Sequence, residues 1–452
     1  MDSYHVGAGT FCISLNAENH KQVKNRVILE ALFLFLVLLL TAYLVRHYVF
    51  TLTVLYRRKK PTYNDYEKSF QPKVSILIPA KNEERVIDRI LQRMCELTYP
   101  KEKLEIIVID DASTDRTGEI AETFARNYAF IQVIHRDSTN GGRGKPKALN
   151  EGLIHASGEI IYCFDADYYP QQDILERFNA YFRDAKVGAV QGRVTVLNEP
   201  VSLVTRLVAL ERIAGYRVDQ KAREELGLIP QYGGTVGGFR SELIRALGGW
   251  DQTILAEDTD LTFRCYLAGY KVRYVNEAES YEEAVEDWRS YWLQRSRWAK
   301  GHMQCAFKHL LQFVKCANLS FGEKLDGLLL LNVYFLPIIV LLAWIVGVAL
   351  YFAGSSVWFS SLWALVPLSL YSAVGNFAPF FEIGIGAYLD ERTRIYWLIP
   401  LLFVTFFINI AICTKVFLEL CASKVSGKRQ FEWKKTTHNG YGNHYIDCSP
   451  KQ

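Results

Sequence analysis

The sequence predicts an α/β protein in which a Rossmann-like, doubly wound sheet forms a cytosolic domain, with transmembrane α-helices before and after it. Between residues 74 and 164, short apolar runs rich in β-branched residues alternate with helical patterns. Long apolar stretches lie towards both ends of the chain. The chain has 452 residues, of which 50% are hydrophobic, so it is long enough for an ordinary core and several membrane spans.

The net charge argues against a nucleic-acid-binding site, and the cysteines argue against disulfides and a zinc site. The net charge of +4 is nearly balanced and no basic block suits a nucleic-acid groove, so nucleic acid is not expected as a partner. The nine cysteines form no CxxC pair. Because Cys163, Cys413 and Cys421 lie in apolar runs, we expect buried thiols in a reducing compartment rather than disulfides or a zinc site.

The amino-terminal region predicts a polar tail over residues 1–26 and a transmembrane helix over residues 27–56. The helix pattern is interrupted by Glu30 and by Arg46-His47, and it is long enough to cross about 30 Å of hydrocarbon. A signal peptide is disfavoured because a polar segment precedes the apolar run and no small-residue cleavage site follows it. The basic run Arg57-Arg58-Lys59-Lys60 indicates the cytosolic side, so the block that follows should face the cytosol.

Predicted strands and helices alternate in that block. The strands are 74–79, 105–110, 131–135 and 160–164, and the helices are 84–97, 117–126 and 147–155. Parallel strands with crossover helices bring their carboxyl ends to one edge of a sheet. We therefore expect three polar segments to lie together at that edge. They are Pro79-Ala80-Lys81-Asn82-Glu83, Asp110-Asp111 and Asp165-Ala166-Asp167.

The Asp165-Ala166-Asp167 segment follows the most apolar of these strands. Such a run is typical of a central strand that is covered on both faces. Two carboxylates beyond its carboxyl end are well placed to hold a divalent cation and, through it, a diphosphate. By themselves they could instead cap a following helix, which the sequence predicts to begin near Pro170.

Two glycine-containing segments suggest loops that approach a ligand closely. The first is Gln191-Gly192-Arg193, and the second, residues 232–240, has four glycines in six residues. A plain turn is the alternative for the second segment. Further on, Gly249-Trp250-Asp251 leads to Ala256-Glu257-Asp258-Thr259-Asp260 and a predicted helix over residues 261–268.

Gln294, Arg297 and Trp298 stand at positions i, i+3 and i+4, so they share one face of a helix. Aromatic and basic residues surround them, as expected for amphipathic helices at a membrane interface, which we place at residues 284–322. Interface anchoring alone is the alternative function for this motif.

The rest of the chain predicts a membrane region over residues 326–421 and a cytosolic tail over residues 422–452. Residues 328–353 and 399–420 are clear spans. Residues 357–389 are apolar but contain Pro367, Gly375, Pro379 and Glu382, which allows either one kinked helix or a helix with a re-entrant segment. The tail is assigned to the cytosol from its basic residues, which are Lys424, Lys428, Arg429, Lys434 and Lys435.

Six motifs, in this order and at these spacings, resemble the membrane-integrated family 2 glycosyltransferases, the group of cellulose, chitin, hyaluronan and poly-N-acetylglucosamine synthases. They are residues 78–84, residues 108–115, residues 145–150, Asp165-x-Asp167, Glu257-Asp258 and Gln294-x-x-Arg297-Trp298. The resemblance covers roughly residues 70–315. It implies a GT-A fold for residues 61–283, a UDP-sugar donor, Mg²⁺ or Mn²⁺ as cofactor, and inversion at the anomeric carbon.

The resemblance also implies roles for individual residues. Donor-binding roles fall on Ala80, Glu83 and Asp111 around the uridine, on Lys145 near the nucleotide, and on Asp165 near the nucleotide or donor sugar. Asp167 becomes the metal ligand, and the acceptor-binding residues are Glu257, Gln294, Arg297 and Trp298. These residue types suit the chemistry, because carboxylates accept hydrogen bonds from a nucleobase and ribose, whereas a diphosphate needs cations.

Asp258 is the candidate catalytic base. A single inverting displacement needs one carboxylate to take the proton from the acceptor hydroxyl, while the leaving diphosphate is stabilised by cations. A helix-terminal acid favoured by the macrodipole is the alternative role. The family usually has threonine where this chain has Ala256, a departure that affects local hydrogen bonding and spares the acid.

Three functions follow from these expectations. The first is a multi-pass membrane synthase that extends a β-linked polysaccharide with glucose or N-acetylglucosamine. The second is a glycolipid synthase that adds one sugar to a lipid such as diacylglycerol, and the third is a non-catalytic binding protein, which the retained acids disfavour. The expected partners are a UDP-sugar, a polysaccharide or lipid acceptor, the lipid bilayer and, for a polymer, accessory export subunits.

Overall fold

The computed structural model describes residues 7–56, 70–137, 139, 141–142, 144–353, 362–426 and 439–440. They form two compact units. One unit combines Met1–Tyr48 with Phe335–Pro379, and the other combines Val49–Tyr334 with Phe380–Gln452. The second unit contains the whole sheet and all of the candidate site residues.

The strands of the sheet, in chain order, are β1 (Val74–Ala80), β2 (Leu104–Asp111), β3 (Ile131–Arg136), β4 (Ile160–Cys163), β5 (Tyr169–Pro170), β6 (Val187–Val196), β7 (Gly237–Arg240) and β8 (Lys271–Glu282). The helices are α1 (Gly7–Tyr56), α2 (Ile87–Cys95), α3 (Thr117–Asn127), α4 (Lys145–His155), α5 (Ile174–Asn179), α6 (Leu203–Arg212), α7 (Lys221–Leu226), α8 (Ser241–Ala246), α9 (Glu257–Leu267), α10 (Trp288–Lys315), α11 (Phe321–Leu331), α12 (Leu336–Phe352), α13 (Leu362–Leu389) and α14 (Leu402–Ser426). A π-helix, Ile213–Gln220, joins α6 to α7.

The predicted α/β fold class is confirmed, and the sheet is mixed. The strand order is β3-β2-β1-β4-β7-β6-β8-β5. The first four strands in this order are parallel, whereas β7 is antiparallel to both β4 and β6. Every residue of β4 is buried, and the strand pairs with β1 on one side and β7 on the other. This central position explains its apolar sequence without alternation.

Several predicted boundaries shift. Tyr169-Pro170 is not the start of a helix but a short strand, β5, which pairs with β8, and α5 begins only at Ile174. Proline suits this place because an edge strand leaves one side of its backbone without ladder partners. Helix α9 begins at Glu257 rather than at residue 261, so the acids lie in its first turn. Helix α4 begins at Lys145, with Pro146 in the first turn, where its missing N–H costs nothing.

The described residues contain three helical segments long and apolar enough to cross a membrane: Lys24–Tyr56, Val333–Phe352 and Thr393–Lys424. The first lies in α1, which already begins at Gly7, inside the predicted polar tail. In the unit that contains α12, Leu36 of α1 packs with Ala343, Val346 and Leu350.

The interrupted apolar stretch is one helix where it is described. Residues 354–361 lie outside the described residues, and α13 contains Pro367, Gly375 and Pro379 without a break. The basic run at residues 57–60 and the tail lysines and arginine after residue 426 also lie outside the described residues.

The seven cysteines whose side chains the structure describes are free thiols. Cys163 and Cys413 are buried as predicted, but Cys421 is exposed. On α14 the buried face carries Ile412, Cys413, Val416 and Leu420, and Cys421 lies about 100° further round the helix. An apolar helix sequence does not reveal which of its faces meets protein.

Candidate active site

The loops after β1 and β2 form one side of the site and are tied to each other. Asn82 N donates to Ser113 Oγ at 2.9 Å, and Thr114 N donates to Asn82 Oδ1 at 2.7 Å. Glu83 is buried, and its backbone N–H donates to Thr117 Oγ1 at 2.7 Å. Ala80, the last residue of β1, is also buried. The structure thus places Ala80 and Glu83 beside the end of β2, where Asp111 lies.

The two adjacent acids at the end of β2 have different partners. Asp111 accepts hydrogen bonds from the Arg136 guanidinium and, at 2.9 Å, from Gly142 N. Asp110 Oδ2 lies 3.0 Å from His135 Nδ1. The hydrogen bond to Asp110 raises the pKa of His135. Asp110 therefore belongs to the packing of β2 on β3, and Asp111 to the glycine-rich loop.

Lys145 joins three elements at the centre of the site. From the first residue of α4, its Nζ lies 2.5 Å from Asp165 Oδ1 and donates to Gly234 O at 2.9 Å. Burial alone would lower the pKa of Lys145, but the charges of Asp165 and Glu257 raise it. A cationic Lys145 is thus held between the end of β4 and the glycine loop of residues 232–238.

Asp167 lies at the carboxyl end of β4 with only 5% of its surface exposed, and its backbone oxygen accepts a hydrogen bond of 2.6 Å from Arg89. Asp165 and Asp167 supply hard carboxylate oxygens, which fit Mg²⁺ or Mn²⁺. Within the described part of the chain, they do not belong to a preformed set of three His, Cys, Asp or Glu ligands. Oxygens of a bound diphosphate would complete the coordination of a cation there.

In the glycine loop of residues 232–238, Gly234 lies against both Lys145 and Asp258. Gly234 has φ +84°, and a Cβ added there would lie 3.3 Å from Asp258 Oδ2. Gln191 holds this loop, since its Oε1 accepts from Gly233 N at 2.7 Å and its Nε2 donates to Thr235 O at 3.1 Å. In the sequence, Gln191 stands out only as the neighbour of a glycine. Its hydrogen bonds to the glycine loop are visible only in the tertiary structure.

Asp258 and Glu257 occupy the first turn of α9. Asp258 Oδ1 accepts from Thr259 N at 2.6 Å. Burial, together with the neighbouring charge of Asp258, raises the pKa of Glu257 to about 7. Burial lowers the pKa of Arg297 on α10, and the charges of Glu257, Asp165 and Asp258 counteract that effect.

A buried cluster fixes α9 on α10. Asp260 is fully buried and binds Lys308 at 2.6 Å, His309 at 2.8 Å and Arg264 at 2.6 Å. Although burial would raise the pKa of Asp260, these partners hold it at about 2. At the same crossing, a Cβ on Gly301 would lie 2.4 Å from Ala256 N, so only glycine permits this approach.

Trp298 lies next to Arg297 on α10, between cationic side chains. The guanidinium carbons of Arg295 and Arg212 lie 4.4 and 5.1 Å from its ring centroid. Arg212 also forms an ion pair with Glu282. Gln294 is half-buried on the same helix. No sequence pattern points to Arg212, whose place beside Trp298 depends on the packing of α6.

A family model described as "Glycosyltransferase like family 2" matches residues 72–301, half of the chain. The chain belongs to glycosyltransferase family 2. The match covers every candidate residue from Ala80 to Trp298, and it confirms the predicted family. The membrane-synthase subtype and the individual residue roles stay predictions.

Several curated relatives are similar to this family 2 glycosyltransferase over part of their length. "Probable glycosyltransferase YdaM" of Bacillus subtilis is 40% identical over 60% of this chain and 63% of its own. "Beta-monoglucosyldiacylglycerol synthase" of Synechocystis is 35% identical over 59% of this chain and 55% of its own. "Poly-beta-1,6-N-acetyl-D-glucosamine synthase" of Staphylococcus epidermidis is 29% identical over 55% of this chain and 58% of its own. The matched region thus spans less than two thirds of each relative.

Among solved structures, a mannosyltransferase from Pyrobaculum calidifontis in complex with GDP-Man and Mn²⁺ matches 82% of this chain and 99% of its own, with a TM-score of 0.54. At 24% identity, this likeness shows the GT-A fold. The transferase therefore has a GT-A domain with a mixed sheet, accompanied by three candidate membrane spans.

Proposed function

We propose that this family 2 glycosyltransferase moves a hexose or N-acetylhexosamine from a UDP-sugar, with inversion, to the growing end of a β-linked polysaccharide at the membrane. The observation that carries the proposal is the convergence of Lys145, Asp165 and Asp258 around the glycine loop. A base, a cation-lined leaving-group site and an acceptor helix are then adjacent, as a single displacement requires.

The donor is assigned to the edge formed by the ends of β1, β2 and β4. Ala80, Glu83 and Asp111 are proposed to surround the uridine, where buried carboxylates accept hydrogen bonds from N–H and O–H groups. Lys145 is proposed to turn from Asp165 towards the diphosphate when the donor enters, because a phosphate attracts its ammonium group more strongly than one carboxylate does.

The metal is assigned to Asp167, with Asp165 beside it. When bound, Mg²⁺ or Mn²⁺ supplies charge neutralisation to the departing diphosphate. Proton transfer and further charge stabilisation are assigned to side chains of the protein. Asp258 accepts the proton of the acceptor hydroxyl at a carboxylate oxygen, and Arg297 stabilises negative charge on the leaving side.

The acceptor is assigned to α10, where Gln294, Trp298 and Glu257 are proposed to bind it. Tyr291 of this helix accepts a 3.2 Å hydrogen bond from Asn409 of α14, so the acceptor motif lies beside a candidate membrane span. Leu311 and Phe321 of the predicted interfacial segment are 72% and 82% exposed. Large apolar side chains exposed in this way suit a membrane surface. A membrane-borne acceptor fits this position.

A glycolipid synthase is the second candidate. The beta-monoglucosyldiacylglycerol synthase relative is 35% identical, against 29% for the poly-beta-1,6-N-acetyl-D-glucosamine synthase, over similar lengths. A lipid acceptor would need only a groove that opens to the bilayer, whereas a polymer needs a polar path lined by several helices. Both products use the same catalytic residues.

The deciding experiment reconstitutes the full chain in lipid vesicles with Mn²⁺ and radiolabelled UDP-glucose or UDP-N-acetylglucosamine. We expect label in a product of high molecular mass that stays out of the organic extract, with one of the donors. Label that runs as a single spot in the organic extract would replace the polymer by a glycolipid. The Asp258→Asn variant in the same vesicles controls for contaminating transferases.

A further inference from the structure

Two adjacent buried acids at the end of β8 hold the segment that contains Asp167. Glu283 Oε1 accepts from Arg89 Nη1 at 2.7 Å, and the two side chains are only 2% and 5% exposed. The same guanidinium continues through Nη2 to Asp167 O at 2.6 Å. One arginine on α2 therefore fixes the backbone of the proposed metal ligand and is itself fixed by Glu283.

Glu282 holds the next residue along. Its Oε2 accepts a 2.6 Å hydrogen bond from the Tyr168 hydroxyl, while its carboxylate also pairs with Arg212 beside Trp298. Two neighbouring carboxylates thus hold this segment. Glu283 holds Asp167 through Arg89, and Glu282 binds Tyr168 directly. Glu282 connects this segment with the acceptor helix.

A distant part of the chain docks on the other oxygen of Glu283. Gly440 N donates to Glu283 Oε2 at 3.1 Å, and Asn439 Nδ2 donates to Glu286 Oε2 at 2.9 Å. Asn439 Oδ1 also accepts from Arg85 Nη1 at 3.3 Å. Gly440 has φ +74°, and a Cβ there would lie 3.0 Å from Arg85 O. Glycine is therefore the residue that allows this contact.

We propose that Arg89 and Glu283 are positioning residues for Asp167, and that the Asn439–Gly440 contact is coupled through them to metal binding. The inference rests on the proposed role of Asp167 as metal ligand. Groups that orient a metal ligand typically change metal affinity by about 10–100-fold when they are lost. The buried Arg89–Glu283 ion pair contacts the backbone of Asp167 on one side and Gly440 on the other. A change at the Asn439–Gly440 contact therefore reaches the proposed metal ligand through this ion pair.

The first test is Glu283→Gln, measured by calorimetry of UDP binding at a series of Mn²⁺ concentrations. We expect about tenfold more Mn²⁺ for half-maximal binding, since the neutral amide holds Arg89 less firmly. Activity should recover at saturating Mn²⁺, because the base and the acceptor helix are intact. An unchanged Mn²⁺ curve in the folded variant overturns the proposal.

Arg89→Lys is the second variant, for the case that Glu283→Gln does not fold. A lysine keeps the charge but cannot span both Glu283 and Asp167 O, so it should show the same Mn²⁺ shift. Asp326→Asn is the matched control, because it breaks a similarly buried pair with Arg223, 4% and 4% exposed, elsewhere in the fold. It should lower stability and leave the Mn²⁺ curve in place.

Gly440→Ala tests the distant contact, and we expect a shift in the same direction as Glu283→Gln but smaller. If Gly440→Ala has the same Mn²⁺ curve as the wild-type protein, the Asn439–Gly440 contact is not coupled to metal binding. Asp167→Asn separates the inference from the proposed function. If Asp167→Asn keeps Mn²⁺-dependent UDP binding, the metal assignment itself fails. If it loses that binding while both Glu283→Gln and Arg89→Lys keep it, only the positioning role fails.

Discussion

At the scale of single residues, the acids Glu257 and Asp258 have adjacent positions and different expected roles. We predict that Asp258→Asn lowers kcat by about 10²-fold or more and leaves UDP affinity nearly unchanged, because a base acts in the transition state. Single-turnover kinetics with calorimetry of UDP binding measure both quantities. Wild-type turnover in this variant would assign the base to another residue.

Glu257 should control the pH dependence of the reaction. Its pKa of about 7 lies above its ordinary value of 4.5, so it carries a proton at pH 6 and becomes charged beside Asp258 above pH 7. We predict that Glu257→Gln removes an inflection near pH 7 from the profile of kcat/KM. An unchanged inflection would assign that titration elsewhere.

The same shift makes a prediction about stability. When folding raises the pKa of an acid, the folded protein loses stability as the pH rises from the pKa of the unfolded state to the pKa of the folded state. The cost of charging Glu257 is therefore absent below about pH 4.5 and complete above about pH 7. The Tm of Glu257→Gln minus the Tm of the wild-type protein should therefore increase as the pH rises from 5 to 8, which differential scanning fluorimetry can follow. A Tm difference that does not change with pH would contradict this.

At the scale of elements, the crossing of α9 and α10 positions the first turn of α9, which carries Asp258. Gly301→Ala would place a methyl group 2.4 Å from Ala256 N, directly before the acids. We predict a loss of about 1–3 kcal/mol in unfolding free energy and a lower kcat, because overpacking moves the backbone of α9. Gly215→Ala is the control, since a Cβ there meets nothing within 4 Å. Equal effects of the two substitutions would refute a special role for this crossing.

His135 of β3 adds a side-chain contact with Asp110 of β2 to the ladder that joins these strands. Its pKa is raised chiefly by Asp110, so the stabilisation is present below the unfolded pKa of histidine and disappears as the pH rises through the folded value. We predict that His135→Gln lowers Tm more at pH 5.5 than at pH 8.5. Added salt should reduce the difference, because the imidazole is 49% exposed. A greater loss at the higher pH would contradict the assignment.

At the scale of the whole molecule, the sequence predicts that the domain containing the sheet faces the cytosol. Lys186 is exposed before β6, far along the chain from every candidate span. We predict that Lys186→Cys reacts with an impermeant maleimide only after the cells are permeabilised. The wild-type chain gives the background from its own thiols. Labelling of intact cells would reverse the proposed orientation.

The sequence by itself determined the family, the four parallel strands and the residues at their carboxyl ends. These features are local, since a strand ends where its apolar run ends, and parallel strands with crossover helices must share an edge. The positions of Asp165 and Asp167 could therefore be predicted, whereas Lys145, Asp258 and Arg297 were named from the resemblance to the family. The roles of all five residues remain predictions. The apolar helical segments follow from length and composition alone.

The tertiary structure decided what depends on pairing between distant segments. Pro170 became a strand because β8 lies beside it, and Cys421 is exposed because only one face of α14 meets protein. Arg89 of α2 bridges Glu283, which follows β8, and Asp167 O, which follows β4. A buried arginine and glutamate carry no mark in the sequence that distinguishes them from solvated ones, since their partnership exists only after the chain has folded.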